Sequence, residues 1–294
     1  MDGGDYHRDP TPTEEQLATT AADTKGTGEQ GDRVIRRGSK AWPLFWNLTV
    51  RATRQRYKGS VLGLLWTLVT PLIMVGAYWV VFKFLFGTPI PNYALFMFVG
   101  MTAWAVFFSG IQVASSSITQ NATLVTKVRF PREIVPFSTI TANTLTAMAM
   151  LVIAVPLCLI FPQGSWAPIV MVPLIIVLIF GMTLGLGLLL AGLNVYFRDI
   201  EHILAAIALP WFFLTPIFWT FSTVQGTVSQ EWVLGALHWG NPIAPGTIAL
   251  QDALFWGRWP TAGDLIYTAV AAVVLIGVGL WGFRRLKREM AVEL

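Results

Sequence analysis

The side chains able to do chemistry are few, and they lie at the edges of apolar stretches rather than within them. Three histidines, His7, His202 and His238, are scattered, and no pair has the spacing of metal ligands. The carboxylates of Glu133, Asp199 and Glu201 each sit beside an apolar run, not in its middle. Ion-coupled transporters use ionisable groups near the bilayer midplane, so this pattern argues against secondary transport. No Gly-Lys-Ser/Thr occurs, which excludes a P-loop, and no Asp-x-Asp pair is present to hold a metal-bound sugar nucleotide. The single Cys158 excludes an internal disulfide. The chain is thus expected to carry no catalytic residue and no metal. What remains is cationic. Arg51, Arg54, Arg56 and Lys58 form one cluster, and Lys127, Arg129 and Arg132 form a second. Guanidinium groups suit bidentate contact with phosphate or carboxylate.

Those clusters must be positioned by membrane helices. Charged residues make up 12% of the 294 residues, against about 25% in a soluble domain. Eighteen of the 36 charges precede residue 59 and six follow residue 283, leaving 12 across the 225 residues between. A bilayer helix needs roughly 20 apolar residues, so the uncharged windows serve as a ruler. They give spans at 59–82, 93–117, two within 134–197 divided by the turn-rich 161–168, then 202–221 and 265–283. The fold class expected is an all-α polytopic membrane protein with six transmembrane helices. With both termini cytoplasmic, 18 of the 20 basic residues fall on the inner side, and only Lys83 and Arg258 fall outside. Residues 1–41 contain one aromatic, Tyr6, and read as a disordered cytoplasmic tail without a signal-peptide core. Residues 285–294 read as a short cytoplasmic tail.

Three segments are neither tail nor span. Residues 42–58 read as an amphipathic interface helix, with Leu44, Phe45 and Leu48 on one face and Arg51, Arg54, Gln55 and Lys58 on the other. The same charges also serve as plain positive-inside anchors. Residues 125–137 hold three basic residues, one acid and two prolines. That composition fits a rigid element that docks on a soluble partner, and equally a tight loop with topogenic charges. Residues 222–264 lie outside yet are rich in Trp, Leu and Ile. Two short helices dipping back into the outer leaflet account for them, and interfacial tryptophan anchoring accounts for part of the same signal.

Four stretches carry a resemblance. They are Arg54-Gln-Arg-Tyr-Lys-Gly-Ser60 with Leu62-Gly63, Leu65-Trp66 and Pro71; Lys127-Val-Arg-Phe-Pro-Arg-Glu133; Asn194-Val-Tyr-Phe-Arg-Asp199; and Asn241-Pro242 ahead of an apolar run. In this order and topology, residues 42–290 resemble the ABC-2-type permeases that export bacterial surface polysaccharides such as O-antigen and teichoic acid. Within that family they are most similar to the mycobacterial exporters of lipid-linked galactan.

The resemblance implies a bacterial cytoplasmic (inner) membrane subunit that works as a homodimer with two copies of a separate nucleotide-binding ATPase. ATP and Mg would be bound by that partner, with no cofactor on this chain. Residues 59–284 would form the transmembrane domain, 125–137 the ATPase-coupling segment and 222–264 the periplasmic gate. Lys127, Arg129, Phe130, Pro131, Arg132 and Glu133 would meet the ATPase. Arg51, Arg54, Arg56, Tyr57 and Lys58 would meet the lipid diphosphate headgroup. Sugars stack on aromatic faces, so a glycan path would be lined by Trp66, Tyr78, Trp79, Phe82, Trp104, Phe107, Phe108, Trp211, Phe212 and Phe218, each of which can equally be packing. Membrane lipids are the remaining contact, and nucleic acid is not expected. A permease for a small lipid or drug shares this topology. A lipid-modifying transferase would need an acid–base cluster, and none is visible.

Overall fold

Hydrocarbon offers no hydrogen-bond partners, so a chain this apolar must satisfy its backbone within helices. The computed structural model describes residues 41–57, 59, 63–85, 87–128, 130–224 and 230–287, and every regular element among them is helical. The expected tail before Ala41, Lys58, Arg129 and the C-terminal tail from residue 288 lie outside the described residues, as do the side chains of Arg56 and Tyr57. The elements are α1 (Ala41–Tyr57), α2 (Trp66–Val80), α3 (Tyr93–Ser115), α4 (Ser117–Gln120), α5 (Ala122–Lys127) and α6 (Ile134–Ile160). They continue with α7 (Val172–Tyr196), α8 (Asp199–Leu214), α9 (Phe221–Val224), α10 (Glu231–Trp239), α11 (Ala244–Gln251) and α12 (Ala262–Leu286). A π turn, Val81–Leu85, extends α2, a second one, Asp252–Trp256, extends α11, and a 3-10 turn, Ala167–Met171, leads into α7.

Among the described residues, five helices are long and apolar enough to cross a bilayer: Trp66–Phe84, Tyr93–Ser115, Ile134–Ile160, Ala167–Tyr196 and Ala262–Leu286. The span expected at 202–221 differs. Its helix, α8, has 16 residues, a rise of about 24 Å against the roughly 30 Å of a hydrocarbon core. Pro216 is the cause. The residue before a proline is pushed out of the α region, and Thr215 sits extended at φ −87°, ψ 137°. A charge count does not register that break.

α3 is the buried axis of the bundle. It begins after Asn92, which takes the left-handed conformation (φ 45°, ψ 42°) that Asn tolerates at a tight turn following Pro91. α6, α7 and α11 close around it, and α12 packs on the far side of α7, with small residues at the crossings. A Cβ on Gly110 would lie 2.5 Å from Thr183 Cγ2, and one on Gly187 would lie 2.8 Å from Ile140 Cδ1. The tightest pair is α7 with α12, where Gly185 and Gly279 bring the two backbones into direct contact. Such close approach is what small residues permit between helices in lipid. α12 starts with a cap: Thr261 Oγ1 accepts from Asp264 N at 3.1 Å and donates to Asp264 Oδ2 at 2.7 Å.

α10 and α11 form a helical hairpin wedged into this bundle. Its far end is level with the first turns of α3, since Phe255 and Trp256 lie against Phe96. Its turn is level with the middle of α3. Asn241 bonds Trp211, whose ring lies against Phe107 and Phe108, and Gly246 faces Ile179 and Thr268. α11 is buried along nearly its whole length, whereas α10 leaves Trp232 exposed.

Candidate functional site

At one end of the bundle the charges converge on the last helix. Arg132 Nη1 donates to Lys287 O at 2.9 Å, and Lys287 Nζ donates to Glu133 Oε1 at 2.7 Å. Tyr196 Oη donates to Leu286 O at 2.6 Å. The last carbonyls of a helix lack intrahelical partners, so two side chains from other elements here act as its C-terminal cap. The segment 125–137 is therefore two-sided. Phe130 turns inward against the cluster of Ile118, Val135, Val195 and Phe283, while Lys127, Val128 and Pro131 are exposed. Sequence reasoning assigned Arg132 and Glu133 to a partner protein, and within the chain the structure bonds both of them to Lys287. It missed Lys287 altogether, which read as one more inner-side charge.

The stretch 194–199 serves the same junction. Fully buried Asn194 donates through Nδ2 to Glu201 Oε1 at 2.7 Å, which ties the end of α7 to the start of α8. Nearby, α1 lies with Phe45 stacked on Phe137 at 4.7 Å and Leu48 against the same cluster as Phe130. Arg51, Arg54 and Gln55 are exposed on it, as are Trp42 and Trp46.

Eight of the ten aromatics expected along a path form one connected set. Trp104 stacks on Phe108 at 4.5 Å, and Trp211 meets Phe107 and Phe108 edge-on. Phe212 joins Trp104 to Phe218, and Tyr78 and Phe82 complete the set around Phe218. Phe107, Phe108, Phe212 and Phe218 are buried and pack the body, whereas Tyr78, Phe82, Trp104 and Trp211 are half-buried. Trp66 and Trp79 stand apart on the exposed side of α2, the latter edge-on to Phe84.

The hairpin is pinned to this set by one polar hub. Trp211 Nε1 donates to Asn241 Oδ1 at 2.8 Å, and Asn241 Nδ2 donates to Thr215 Oγ1 at 3.0 Å. The Asn-Pro dipeptide was visible in the sequence, but its indole partner 30 residues earlier was not. Asn241→Leu strips the Trp211 indole of its acceptor. A buried orphan donor costs about 1–3 kcal/mol, and the variant is expected to lose that much stability in a detergent unfolding titration, with Trp211→Phe in the same background restoring part of it. Higher on the hairpin, Arg258 Nη2 reaches Asp252 Oδ1 at 2.7 Å, and His238 Nε2 lies 2.6 Å from Asp264 Oδ1. Burial pushes the Asp252 carboxyl above the usual carboxylate range, against the opposing pull of Arg258.

Spanning helices around a buried axis, with charges gathered at one end and a pinned hairpin wedged in from the other, define a multi-pass membrane protein. The chain belongs to the ABC-2 type transporter family, whose model matches residues 43–255. It is 31% identical over 266 residues to the O-antigen export system permease protein RfbA of Myxococcus xanthus, covering 89% of this chain and 99% of that protein. It is 28% identical over 249 residues to the protein of the same description from Klebsiella pneumoniae, covering 83% and 92% respectively.

Proposed function

We propose that the chain is the membrane subunit of an ATP-driven exporter that carries a lipid-linked cell-surface polysaccharide, of galactan type, across the cytoplasmic membrane. The observation that carries this reading is likeness to O-antigen permeases along 99% of the length of one of them. Two copies of the chain pair with two copies of a nucleotide-binding subunit, which supplies the ATP and Mg site. α8 together with 215–224 completes the sixth crossing, and both termini face the cytoplasm. α1 lies in the inner interface as 42–58, ahead of the transmembrane domain over 59–284. The hairpin within 222–264 is the re-entrant periplasmic gate, an assignment supported by the mid-bundle level of Asn241.

The headgroup meets the exposed Arg51 and Arg54 of α1, with Arg56, Tyr57 and Lys58 following, and the sugars pass the aromatic set. Lys127 and Pro131, with Arg129, make the surface that the ATPase engages, while Phe130 anchors it to the apolar cluster beneath and Arg132 and Glu133 hold it to α12. Inverted vesicles containing the chain and its ATPase are expected to take up lipid-linked galactan on addition of ATP. Uptake of a short-chain fluorescent phospholipid without uptake of glycan would overturn the reading. Arg51→Gln with Arg54→Gln is expected to raise the glycan concentration that half-stimulates the ATPase roughly thirty-fold, because each surface cation is worth about 1 kcal/mol toward an anionic lipid and about 1.4 kcal/mol is ten-fold.

A further inference from the structure

An apolar groove of about 490 Å³ runs down the outside of the bundle between α2, the start of α3 and the end of α6. Leu72, Val75 and Trp79 form one wall, Leu157 and Phe161 the other, and Ala94 lies among the lining residues from α3. Its volume is in the range of ligand sites, about 300–1,000 Å³. From Lys83 to Leu72 the helix rises about 16 Å, half of a hydrocarbon core of roughly 30 Å, so the groove is one leaflet deep. Polar groups stand at one end only. Lys83 and Asn92 are both at the mouth, and both are exposed. The Lys83 ammonium has one long bond, to Thr88 O at 3.4 Å, and no carboxylate pairs with it among the described residues. Trp79 and Phe161 flank that mouth, in keeping with aromatic residues at an interface.

We infer that this groove binds one anionic phospholipid of the outer leaflet, such as phosphatidylglycerol, with an acyl chain along Leu72–Trp79 and the phosphate at Lys83 and Asn92. Charge complementarity selects that occupant. The sequence places only Lys83 and Arg258 outside against the positive-inside bias, and Arg258 is neutralised by Asp252 while Lys83 is not. An ammonium and a primary amide both donate hydrogen bonds, which a phosphodiester accepts. A fully apolar groove would serve a neutral lipid as well, and the lysine is what discriminates. The leaflet assignment rests on the topology proposed above, whereas the binding itself does not depend on what the protein exports.

The test is native mass spectrometry of the full-length chain in mild detergent, titrated with dioleoyl phosphatidylglycerol or dioleoyl phosphatidylcholine. Phosphatidylglycerol is expected to be retained at lower concentration. Lys83→Gln should weaken its retention about five-fold and leave phosphatidylcholine unchanged, the loss expected for one cation at an anionic headgroup. Leu157→Trp, which fills the groove, should weaken both. Equal retention of the two lipids, or no effect of Lys83→Gln, would overturn the proposal. So would displacement of phosphatidylglycerol by an equal amount of undecaprenyl phosphate, which would make the groove a carrier-lipid site. Efficient disulfide cross-linking of Trp79→Cys between two copies would likewise overturn it by making the groove a subunit interface.

Discussion

Gly279→Leu leaves no folded protein in the membrane, whereas Gly277→Leu, two residues away on the same helix, leaves it intact. α12 crosses α7 in backbone contact, so a Cβ on Gly279 is driven into the Gly185 carbonyl and one on Gly185 into the Leu275–Ile276 peptide. Side-chain overpacking in a core costs about 1–3 kcal/mol because rotamers can shift. Here the obstacle is backbone, and relief requires separating the most extensive helix pair in the bundle. In lipid no hydrophobic force pulls separated helices back together, so packing lost at this crossing is not regained elsewhere. Gly277 has nothing within 4 Å of where its Cβ would stand. Detergent extracts of fluorescently tagged variants, run on size exclusion, separate the outcomes: an aggregated or absent peak for Gly279→Leu and a parental peak for Gly277→Leu. Similar profiles for the two would remove this crossing as the keystone of the fold.

The contrast between those glycines marks how far the sequence carries. Apolar windows located five long helices because length and lack of charge are one-dimensional properties. They did not shorten α8, because the Thr215–Pro216 break is a matter of backbone angle. α12 carries Gly277, Gly279 and Gly282, yet nothing local in the sequence separates Gly277, which faces open space, from Gly279. The aromatics show the same limit. In water the packed face of a helix is the apolar one, but the lipid-facing side is as apolar as the packed side. Periodicity thus gives no rotational phase. Trp79 on the exposed side and Tyr78 within the aromatic set are neighbours in sequence and differ only in that phase. The charged end was legible as a cluster and illegible as a junction. Arg132 and Glu133 are about 155 residues from Lys287, and only the parallel packing of α7 and α12 brings that helix end to them.

That junction carries the second large effect. Lys287→Glu is expected to reduce ATP-dependent export at least ten-fold while the protein still inserts and still assembles with its ATPase. The double variant Glu133→Lys, Lys287→Glu is expected to recover most of the activity. Glu133 is the partly buried member of the pair, with 22% of its side chain accessible against 39% for Lys287. Replacing the lysine by a carboxylate sets two like charges together and removes the hydrogen bond that Glu133 Oε1 accepts. An exposed pair is worth about 0.2–1 kcal/mol and loss of one partner from a buried pair costs about 3–5, and this site lies between those limits. Each 1.4 kcal/mol or so is a ten-fold change in a two-state equilibrium. The consequence is directional because of what α12 joins. Its last turn is held by Arg132 and Tyr196, and its first turn holds His238 of the hairpin through Asp264. A single 25-residue helix thus links the segment 125–137 to the hairpin. Loosening its inner end lets the segment 125–137 move without moving the hairpin. The measurement is glycan uptake and ATPase rate in the same vesicles: uptake falls more than hydrolysis if the link is mechanical. Equal loss of both, or no loss, would show that α12 transmits nothing between the two ends.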